Sequence, residues 1–453
     1  MRASLINAAL VAMFIAFPGF TNAQDKLRVI IETDAGGDPD DEQSLVRFLL
    51  YANEWDIEGI IANRPTARPG ENRNPVRTGL GIVQRHLTAY GDVHPRLREN
   101  APGYPTRDFL WARTVSGAAD SDAAVDLILT AVDRDDPRPV WFQNWGTDHG
   151  SDPSNLKRAL DKVRAERGQA GYAKFKDRLR LSSDDQFGEH TTEHSPPWRF
   201  WLQPTRPKLD GAFMYHRFGP LTATAGGFDL DRDVLTGHGP LGALYPSNTN
   251  IRQKEGDSAY FLHLIPTGMN HPMQPGWGSW AGRFGPRDDE QPPKPGWFWA
   301  NVRDGWQGTT SRDNVLKRWA ADLQNDFRAR LDWCVKPFSQ ANHPPTAVLN
   351  GSRNRDILML AAMAGATVPL DAGGSDDPDG DPLAYEWFVY PEAGTYPGTV
   401  DLRQEEGDKS RATVTLPADA EGKTVHVILA VRDGGNPPLV AYRRVVLQAA
   451  AKP

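Results

Sequence analysis

The sequence predicts an α/β domain followed by a smaller all-β domain. Over residues 25–337, short apolar runs alternate with stretches whose apolar residues recur every three or four positions. That order is typical of strands joined by helices, and therefore of an open, mostly parallel sheet covered on both faces. Over residues 346–453 the apolar period changes to two, which predicts an immunoglobulin-like sandwich. The segment 338–345, ending in two prolines, is the predicted linker.

An acidic segment organises the predicted α/β domain. Residues 29–41 begin as a short apolar run, pass through a glycine turn and hold five carboxylates within ten positions. A helical pattern follows at once. Ligands of open α/β sheets bind at the carboxyl ends of strands. Because like charges this close repel, the segment predicts a hard divalent cation held by carboxylate oxygens, such as Ca²⁺ or Mg²⁺.

An acidic helix start is the simpler alternative for this segment. The helix dipole favours acids in a first turn, which accounts for Asp40, Asp41 and Glu42. It does not account for Glu32 and Asp34, which lie on the strand side of the turn. The metal interpretation therefore explains more of the pattern.

Two further positions are candidates for the same site. Asn144 follows the apolar run Val140–Phe142, and we expect it to contact metal or sugar hydroxyls; a turn residue that binds its own backbone explains it equally well. Asp257 opens the apolar helical run that begins at Ser258. An ordinary helix N-cap is the alternative for Asp257. Because the early acids need distant ligands to complete a cage, the metal interpretation is favoured.

Tryptophans are concentrated late in the first domain. Trp277, Trp280, Trp297, Trp299 and Trp306 lie in or beside a segment rich in Pro and Gly. Flat aromatic rings give sugars an apolar face, and a segment so interrupted is typical of a surface loop. We therefore expect several of these rings to line a cleft, with Trp277 and Trp280 binding substrate.

The histidines supply candidates for a proton donor. His190 and His194 match a His-x-x-Glu-His zinc motif, but the glycine before the motif and the two prolines after it leave little room for the required helix. A polar loop over the mouth of the site is the favoured interpretation. His190, His194, His216 and His238 are then the candidate proton donors.

The remaining features bear on location and partners. Residues 1–23 have a positive start, an apolar core and a small-residue cleavage site, so they predict a signal peptide and a secreted or periplasmic protein. The net charge of −7, without a long basic cluster, argues against nucleic acid or anionic lipid as a partner. No apolar run is long enough for a membrane span. In the second domain, the turn 376–381 is either a Ca²⁺ site or a plain polar turn.

The acidic segment resembles the aspartate fingerprint of the nucleoside hydrolases, Asp-x-Asp-x-Gly-x-Asp-Asp after the first strand. Asp34, Gly36, Asp40 and Asp41 match if two residues are inserted in the loop, with Glu32 as the first acid. Without the insertion, Asp38 would replace Asp40; the pair Asp40-Asp41 is preferred because the helical pattern begins directly after it. The chain resembles more closely the secreted bacterial cellulose-binding proteins that carry such a domain and a C-terminal β-domain.

The resemblance implies a fold, a cofactor and a reaction. The sheet would be of nucleoside-hydrolase type, and Ca²⁺ would be held by Asp34, Asp41 and Asp257. Asp34 would act as the base, Asp40 would hold a sugar hydroxyl, and Glu255 would contact the substrate. The expected activity is calcium-dependent hydrolysis of an N- or O-glycosidic bond in a polysaccharide, an oligosaccharide or a nucleoside. The alternative is a cellulose- or carbohydrate-binding protein without catalysis.

Overall fold

The computed structural model describes residues 26–37, 39–68, 75–146, 154–182, 190, 201–203, 214–247, 252–286 and 296–451. The predicted signal peptide, Asp38, His194 and the side chain of His216 lie outside these ranges. The described residues form an α/β domain and a β-sandwich that pack against each other.

A parallel sheet forms the centre of the first domain. Its strands are β1 (Leu27–Thr33), β2 (Trp55–Ala62), β3 (Thr114–Ser116), β4 (Val140–Asn144), β5 (Leu179–Ser182), β6 (Trp201–Gln203) and β7 (Trp297–Trp299). Within the described chain they pair in the order β3-β2-β1-β4-β5-β6-β7. All the pairings are parallel. The α/β prediction is confirmed.

Helices cover both faces of this sheet. They are α1 (Asp40–Leu50), α2 (Gly79–Asn100), α3 (Arg107–Trp111), α4 (Ala123–Asp133), α5 (Asn155–Asp177), α6 (Met214–Thr222), α7 (Gly239–Ala243), α8 (Ser258–Leu262) and α9 (Asn314–Trp333). Val29 and Ile31 of β1 pack with α1, α2, α8 and α9, whereas Ile30 packs with α4 and α5. That burial on both faces explains the unbroken apolar run of β1. None of the described helices is long and apolar enough to cross a membrane.

The second domain is a two-sheet sandwich. A hairpin of β8 (Asp304–Trp306) and β9 (Thr309–Ser311) precedes it. The strands of the sandwich itself are β10 (Leu358–Met363), β11 (Thr367–Asp371), β12 (Ala384–Val389), β13 (Asp401–Gln404), β14 (Arg411–Thr415), β15 (Thr424–Arg432) and β16 (Val440–Ala450). They form the sheets β10-β16-β15-β12 and β11-β14-β13. The sandwich prediction is confirmed.

The four-stranded sheet of the sandwich is buried on both faces. In β15, Val427 and Leu429 point into the sandwich core, while Ile428 and Ala430 join the core of the first domain. Because side chains alternate across a strand, one run of residues serves two cores. On the α/β side, Trp319 of α9 packs its ring against the rings of Phe388, Tyr390 and Tyr442. The two domains therefore share a continuous apolar interface.

Candidate metal centre

The acidic residues lie where the strand order of the parallel sheet reverses. β1 is flanked by β2 on one side and β4 on the other, because the chain passes from β1 to β2 and β3 on one side and then crosses back to β4 on the other. A crevice opens at the carboxyl ends of strands at such a point, and it is the usual ligand site of open α/β sheets. Asp34 follows β1, and Asn144 ends β4, paired in register with Glu32. The topology thus brings the two predicted strand ends together.

A tight glycine turn carries the chain from β1 to α1. Gly36 has a φ of 93°, in the left-handed region, and a side chain there would crowd Ala67 and Ile82. At Gly37 a Cβ atom would lie 2.8 Å from Asp34 Oδ2. Neither position therefore accommodates a side chain, which accounts for the Gly-Gly sequence.

Asp41 lies at the centre of the acidic cluster. Its Oδ1 atom accepts hydrogen bonds from the Thr33 hydroxyl and, at 3.1 Å, from the Asp34 amide, so the side chain reaches back to β1. Burial raises the pKa of Asp41 well above its ordinary value, and the negative charges of Asp257, Asp34 and Asp40 raise it further. A cation bound at this position would favour the ionised carboxylate and lower the pKa of Asp41.

Asp257 joins this cluster from a distant part of the chain. It occupies the N-cap position of α8, yet its side chain makes no capping hydrogen bond. Instead, carboxylate oxygens of Asp40, Asp41 and Asp257 all lie within 4.8 Å of one another, and all three residues are buried. This cluster can hold a metal ion. Three buried carboxylates with no sulfur or imidazole are a donor set that suits a hard cation such as Ca²⁺ or Mg²⁺.

Asp34 stands beside this set and is paired with a cation of the protein. Arg64 Nη2 lies 3.0 Å from Asp34 Oδ2, and Arg64 Nε donates to the Asp34 carbonyl at 3.3 Å. On the other side, a Cβ atom at Gly146 would lie 3.0 Å from Asp34 Oδ1. Asp34 is therefore enclosed between the residues that follow β2 and β4. The three clustered carboxylates include Asp40 where the sequence analysis placed Asp34.

A second cation of the protein approaches Asp40. Lys254 Nζ lies 3.4 Å from Asp40 Oδ2. Sequence reasoning missed both Arg64 and Lys254. The available signals were their positions, because Arg64 follows the predicted second strand and Lys254 directly precedes Glu255. Two positive side chains partly compensate the acids even without a metal ion.

Gln43, in α1, holds the segment that carries Asp257 through side-chain hydrogen bonds. Its Oε1 atom accepts from the amides of Lys254, at 2.8 Å, and Glu255, at 2.9 Å. Its Nε2 atom donates to the carbonyls of Pro246 and Arg252. All of its hydrogen-bonding capacity is thus used on the segment that carries Asp257. Gln43 is a positioning residue that the sequence did not reveal.

Glu255 does not face a substrate, which corrects the sequence prediction. Its side chain is fully buried and forms an ion pair with Arg47, whose Nη2 lies 3.0 Å from Glu255 Oε1. Tyr245 and Ser258 donate further hydrogen bonds. Burial opposes ionisation, but the Arg47 guanidinium outweighs it and lowers the pKa of Glu255. Glu255 therefore fixes the loop, two residues before Asp257, by pairing with α1.

Amide side chains lie at the carboxyl end of β4 and around Glu32 of β1. Asn144 Oδ1 accepts from the Gly146 amide at 3.1 Å, which is the backbone-binding role left open by the sequence. Glu32 is fully buried, and Asn155 and Asn63 donate to its Oε1 atom at 2.8 and 3.3 Å. Burial raises the pKa of Glu32 despite these bonds. Glu32 is thus a buried hub that joins β1 to β2 and α5.

The tryptophans lie mostly inside the protein, contrary to expectation. Trp280 is 3% exposed, and Trp297 and Trp299 are also buried, with their rings stacked on each other. Trp280 lies in the apolar core that the first domain shares with the sandwich, whereas Trp297 and Trp299 lie in the first-domain core beside α4 and α5. Trp277 is half-buried and meets the ring of His426 edge-on across the domain interface. Trp280 therefore has no open ring face for a sugar.

The two candidate histidines whose side chains are described, His190 and His238, make their contacts with other parts of the chain. His190 is buried against α5, with Nε2 2.8 Å from Asp161 Oδ1 and Nδ1 2.5 Å from the Tyr172 hydroxyl. His238 Nε2 lies 3.1 Å from the Arg232 carbonyl. These contacts correct the prediction that either histidine supplies a proton at the site.

The acidic turn of the second domain is held by the protein itself. Asp377 Oδ1 accepts from the amides of Asp379 and Asp381, as in a plain polar turn. Asp376 pairs with Arg353, and Asp379 lies 3.0 Å from His343 Nδ1. Among the residues that the structure describes, the group of acids arranged for a metal is Asp40, Asp41 and Asp257.

The sheet order and the acidic cluster at its switch point define a nucleoside-hydrolase-like domain. The chain belongs to the family described as "Cellulose-binding Sde182, nucleoside hydrolase-like domain", which matches residues 28–284. Residues 367–449 match the companion description "Cellulose-binding protein Sde0182, C-terminal domain". The family resemblance predicted from the acidic fingerprint is confirmed.

One solved structure agrees with this assignment. A nucleoside hydrolase-related hypothetical protein from Saccharophagus degradans, described as associated with carbohydrate metabolism, is 34% identical, with a TM-score of 0.73. The alignment covers 94% of this chain and 100% of that one. The mouse clustered PcdhgC3 EC1-3 structure is 19% identical over 20% of this chain and 30% of that one, with a TM-score of 0.13, too low to bear on the fold. The comparison with curated proteins gives no match.

Proposed function

We propose that the chain is an exported carbohydrate-binding protein that holds Ca²⁺ between Asp40, Asp41 and Asp257 and receives a sugar at that site. The observation that carries the proposal is the buried three-carboxylate cluster at the switch point of the sheet, in a family described as cellulose-binding. Carboxylate ligands in this number suit Ca²⁺, which also accepts hydroxyl oxygens in its flexible coordination shell.

The chemistry of the site supports both parts of this proposal, the binding of Ca²⁺ and the binding of a sugar. Bound Ca²⁺ would compensate the buried carboxylates and orient sugar hydroxyls by coordination. Asp40, with Lys254 beside it, offers both an acceptor and a donor within reach of a hydroxyl. Gln43 and Glu255 keep Asp257 in place, so the site is assembled before a ligand arrives.

Hydrolysis of a glycosidic bond is the second candidate function. The favouring observation is that Asp34 lies next to Asp41 and that its side chain is 13% exposed, so that water can reach it. Asp34 would accept a proton from the attacking water while the glycosidic bond breaks, and an acid would protonate the leaving group. The ion pair with Arg64 opposes this role, because Arg64 already occupies Oδ2 of Asp34. Binding is therefore the proposed function.

The remaining proposals concern organisation and location. Residues 1–23 are proposed as a signal peptide, which supports a secreted or periplasmic protein. The proposed boundaries are 25–337 for the first domain, 338–345 for the linker and 346–453 for the sandwich. A polysaccharide or oligosaccharide is the preferred ligand, and a nucleoside is the other candidate.

One set of assays tests the proposal and separates binder from enzyme. The mature protein and its Asp34→Asn variant are incubated with cellohexaose, plant oligosaccharides and nucleosides, with Ca²⁺ or with a chelator. We expect glycan binding that weakens with chelator and survives Asp34→Asn, because an amide keeps the size and an oxygen. Hydrolysis by the wild type that falls about 100-fold in the variant would establish the catalytic alternative. Failure to bind any glycan would overturn the proposal.

A further inference from the structure

The burial of the predicted sugar-binding rings raises the question of where a glycan polymer would bind. Among the described residues, the large apolar side chains that remain exposed are Phe109, Trp111, Val335, Phe338 and Met363. Trp111 is the tryptophan in this group, and it is 40% exposed at the end of the short helix α3. An exposed indole ring leaves apolar surface in contact with water, which is unfavourable unless a ligand or a partner covers it.

Trp111 lies in a surface groove with a volume of about 480 Å³. One side is formed by α2, and the other by Trp111 with Pro240 and Leu244 near α7. The α2 side chains recur at three- and four-residue spacing, so they line one face of that helix. This groove, hereafter the α2 groove, is lined by Gly81, Gln84, Arg85, Thr88, Ala89, Asp92, Trp111, Pro240 and Leu244.

The composition of the α2 groove favours a neutral polyhydroxyl ligand. An aromatic ring stands beside an amide, Gln84, and a hydroxyl, Thr88. The charges of Arg85 and Asp92 cancel, so the lining attracts neither a polyanion nor a polycation strongly. Each of these polar groups can donate to or accept from a hydroxyl. Apolar ring surface next to neutral hydrogen-bonding groups is the complement of a sugar ring, which has an apolar face and a hydroxyl rim.

The α2 groove begins at the end of the helix that adjoins the acidic cluster. Gly81 lies two residues after Gly79, whose amide donates to the Arg64 carbonyl at 2.9 Å. Arg64 in turn pairs with Asp34. The start of α2 is therefore bonded to the residue that borders the acidic cluster. A chain-like ligand, rather than a single sugar, would contact both the α2 groove and the acidic cluster.

We propose that the α2 groove is a binding platform for a neutral β-linked glucan chain, with a glucose ring stacked on Trp111. The inference rests on the proposed carbohydrate-binding function and adds a site separate from the acidic cluster. Gln84, Thr88 and Asp92 bind hydroxyls of the stacked and adjacent sugars. Because none of these groups belongs to the carboxylate cluster, binding at the groove does not require Ca²⁺.

The test compares Trp111→Ala with Phe109→Ala in the mature full-length protein. Phe109 is the matched control, since it is equally exposed on the same helix, does not line the groove and lies under the Arg113 guanidinium. Depletion onto insoluble cellulose and calorimetric titration with cellohexaose are measured with Ca²⁺ and with chelator. We expect Trp111→Ala to weaken glucan binding about tenfold in both conditions, and Phe109→Ala to change it less than twofold.

Each outcome is decisive. Equal glucan affinity of the two variants, with wild-type binding intact, would overturn the groove while leaving the proposed function standing. Wild-type protein that binds another glycan but no glucan would overturn the groove alone, and wild-type protein that binds no glycan at all would overturn both. Melting temperatures show that the variants are folded, and Trp111→Tyr, which keeps an aromatic face, should recover part of the affinity. Loss of affinity in Trp111→Tyr equal to that in Trp111→Ala would contradict a stacking role.

Discussion

Arg64 Nη2 lies 3.0 Å from Oδ2 of Asp34, so the acid expected to act as a base is held by a cation of the protein. The pair joins the residue that follows β1 to the segment that follows β2, and Gly37 leaves space for it. Because Arg64 already compensates one negative charge beside Asp41, it competes electrostatically with any metal ion at the cluster. The first prediction follows from that competition.

Arg64→Ala should increase the affinity for Ca²⁺ by about tenfold, because it removes a positive charge close to the carboxylates. Calorimetric titration of wild type and variant measures the change. Arg403→Ala, which removes an arginine paired with Asp401 on the sandwich, is the control for net charge and should leave the affinity unchanged. Weaker Ca²⁺ binding in Arg64→Ala would contradict the competition.

Asp41→Asn should stabilise the metal-free protein increasingly as the pH rises. The pKa of Asp41 is raised in the folded state, so the folded protein binds this proton more tightly than the unfolded chain. The stability that the raised pKa contributes is complete below the ordinary value of 3.8 and is lost as the pH rises through the folded value. The amide of the variant remains neutral throughout and escapes this loss.

Melting temperatures of wild type and Asp41→Asn between pH 4 and pH 9, in chelator, measure that difference. Asp34, Asp40 and Asp257 are common to both proteins, so the difference between the curves reports the titration of Asp41 together with its electrostatic effect on these neighbours. Addition of Ca²⁺ should raise the melting temperature of the wild type only. Curves that stay parallel across this range would show that Asp41 titrates normally.

Glu255→Gln should destabilise the fold by about 3–5 kcal/mol, the scale for breaking a buried ion pair and leaving Arg47 uncompensated. Ca²⁺ affinity should fall as well, because Glu255 holds the loop that carries Asp257. Chemical unfolding and calorimetry measure the two effects. Glu99→Gln, at an exposed ion pair with Arg96, is the control and should behave as wild type. An unchanged unfolding curve for Glu255→Gln would be inconsistent with the buried role.

Asp322→Asn should loosen the contact between the two domains. The Asp322 carboxylate accepts from the Tyr442 hydroxyl and pairs with Arg432, both on the sandwich. Losing the charge should cost about 2 kcal/mol or more, since two sandwich groups lose an ionised acceptor. Chemical unfolding followed by tryptophan fluorescence should show a lower midpoint. Asp401→Asn, at an exposed pair within the sandwich, should leave the midpoint in place.

The sequence predicted the parts of the fold whose causes are local. The apolar run of β1, the glycine turn and the acids before α1 lie within one segment, and their pattern was sufficient to predict a metal-type site. Asp257 was found because it opens a helical run. The sandwich followed from the alternation of apolar residues over residues 346–453.

The parts that could not be predicted depend on contacts between distant segments. Gln43 meets Lys254 across more than two hundred residues, and nothing local marks either residue. Trp280 was misjudged because the sandwich that shares its core lies far along the chain. One signal was available: Val425–Val431 is apolar at nearly every position, whereas a strand with one solvated face would alternate. That run indicated a second buried face, and with it the domain interface.

Calorimetric titration of the mature protein with Ca²⁺ measures directly whether the acidic cluster binds a metal ion. We expect a saturable binding event that is lost in both Asp41→Asn and Asp257→Asn, and that is retained in Asp377→Asn, a control in the acidic turn of the sandwich. Binding that persists unchanged in Asp41→Asn and Asp257→Asn, or that disappears in Asp377→Asn alone, would contradict a metal site formed by Asp40, Asp41 and Asp257.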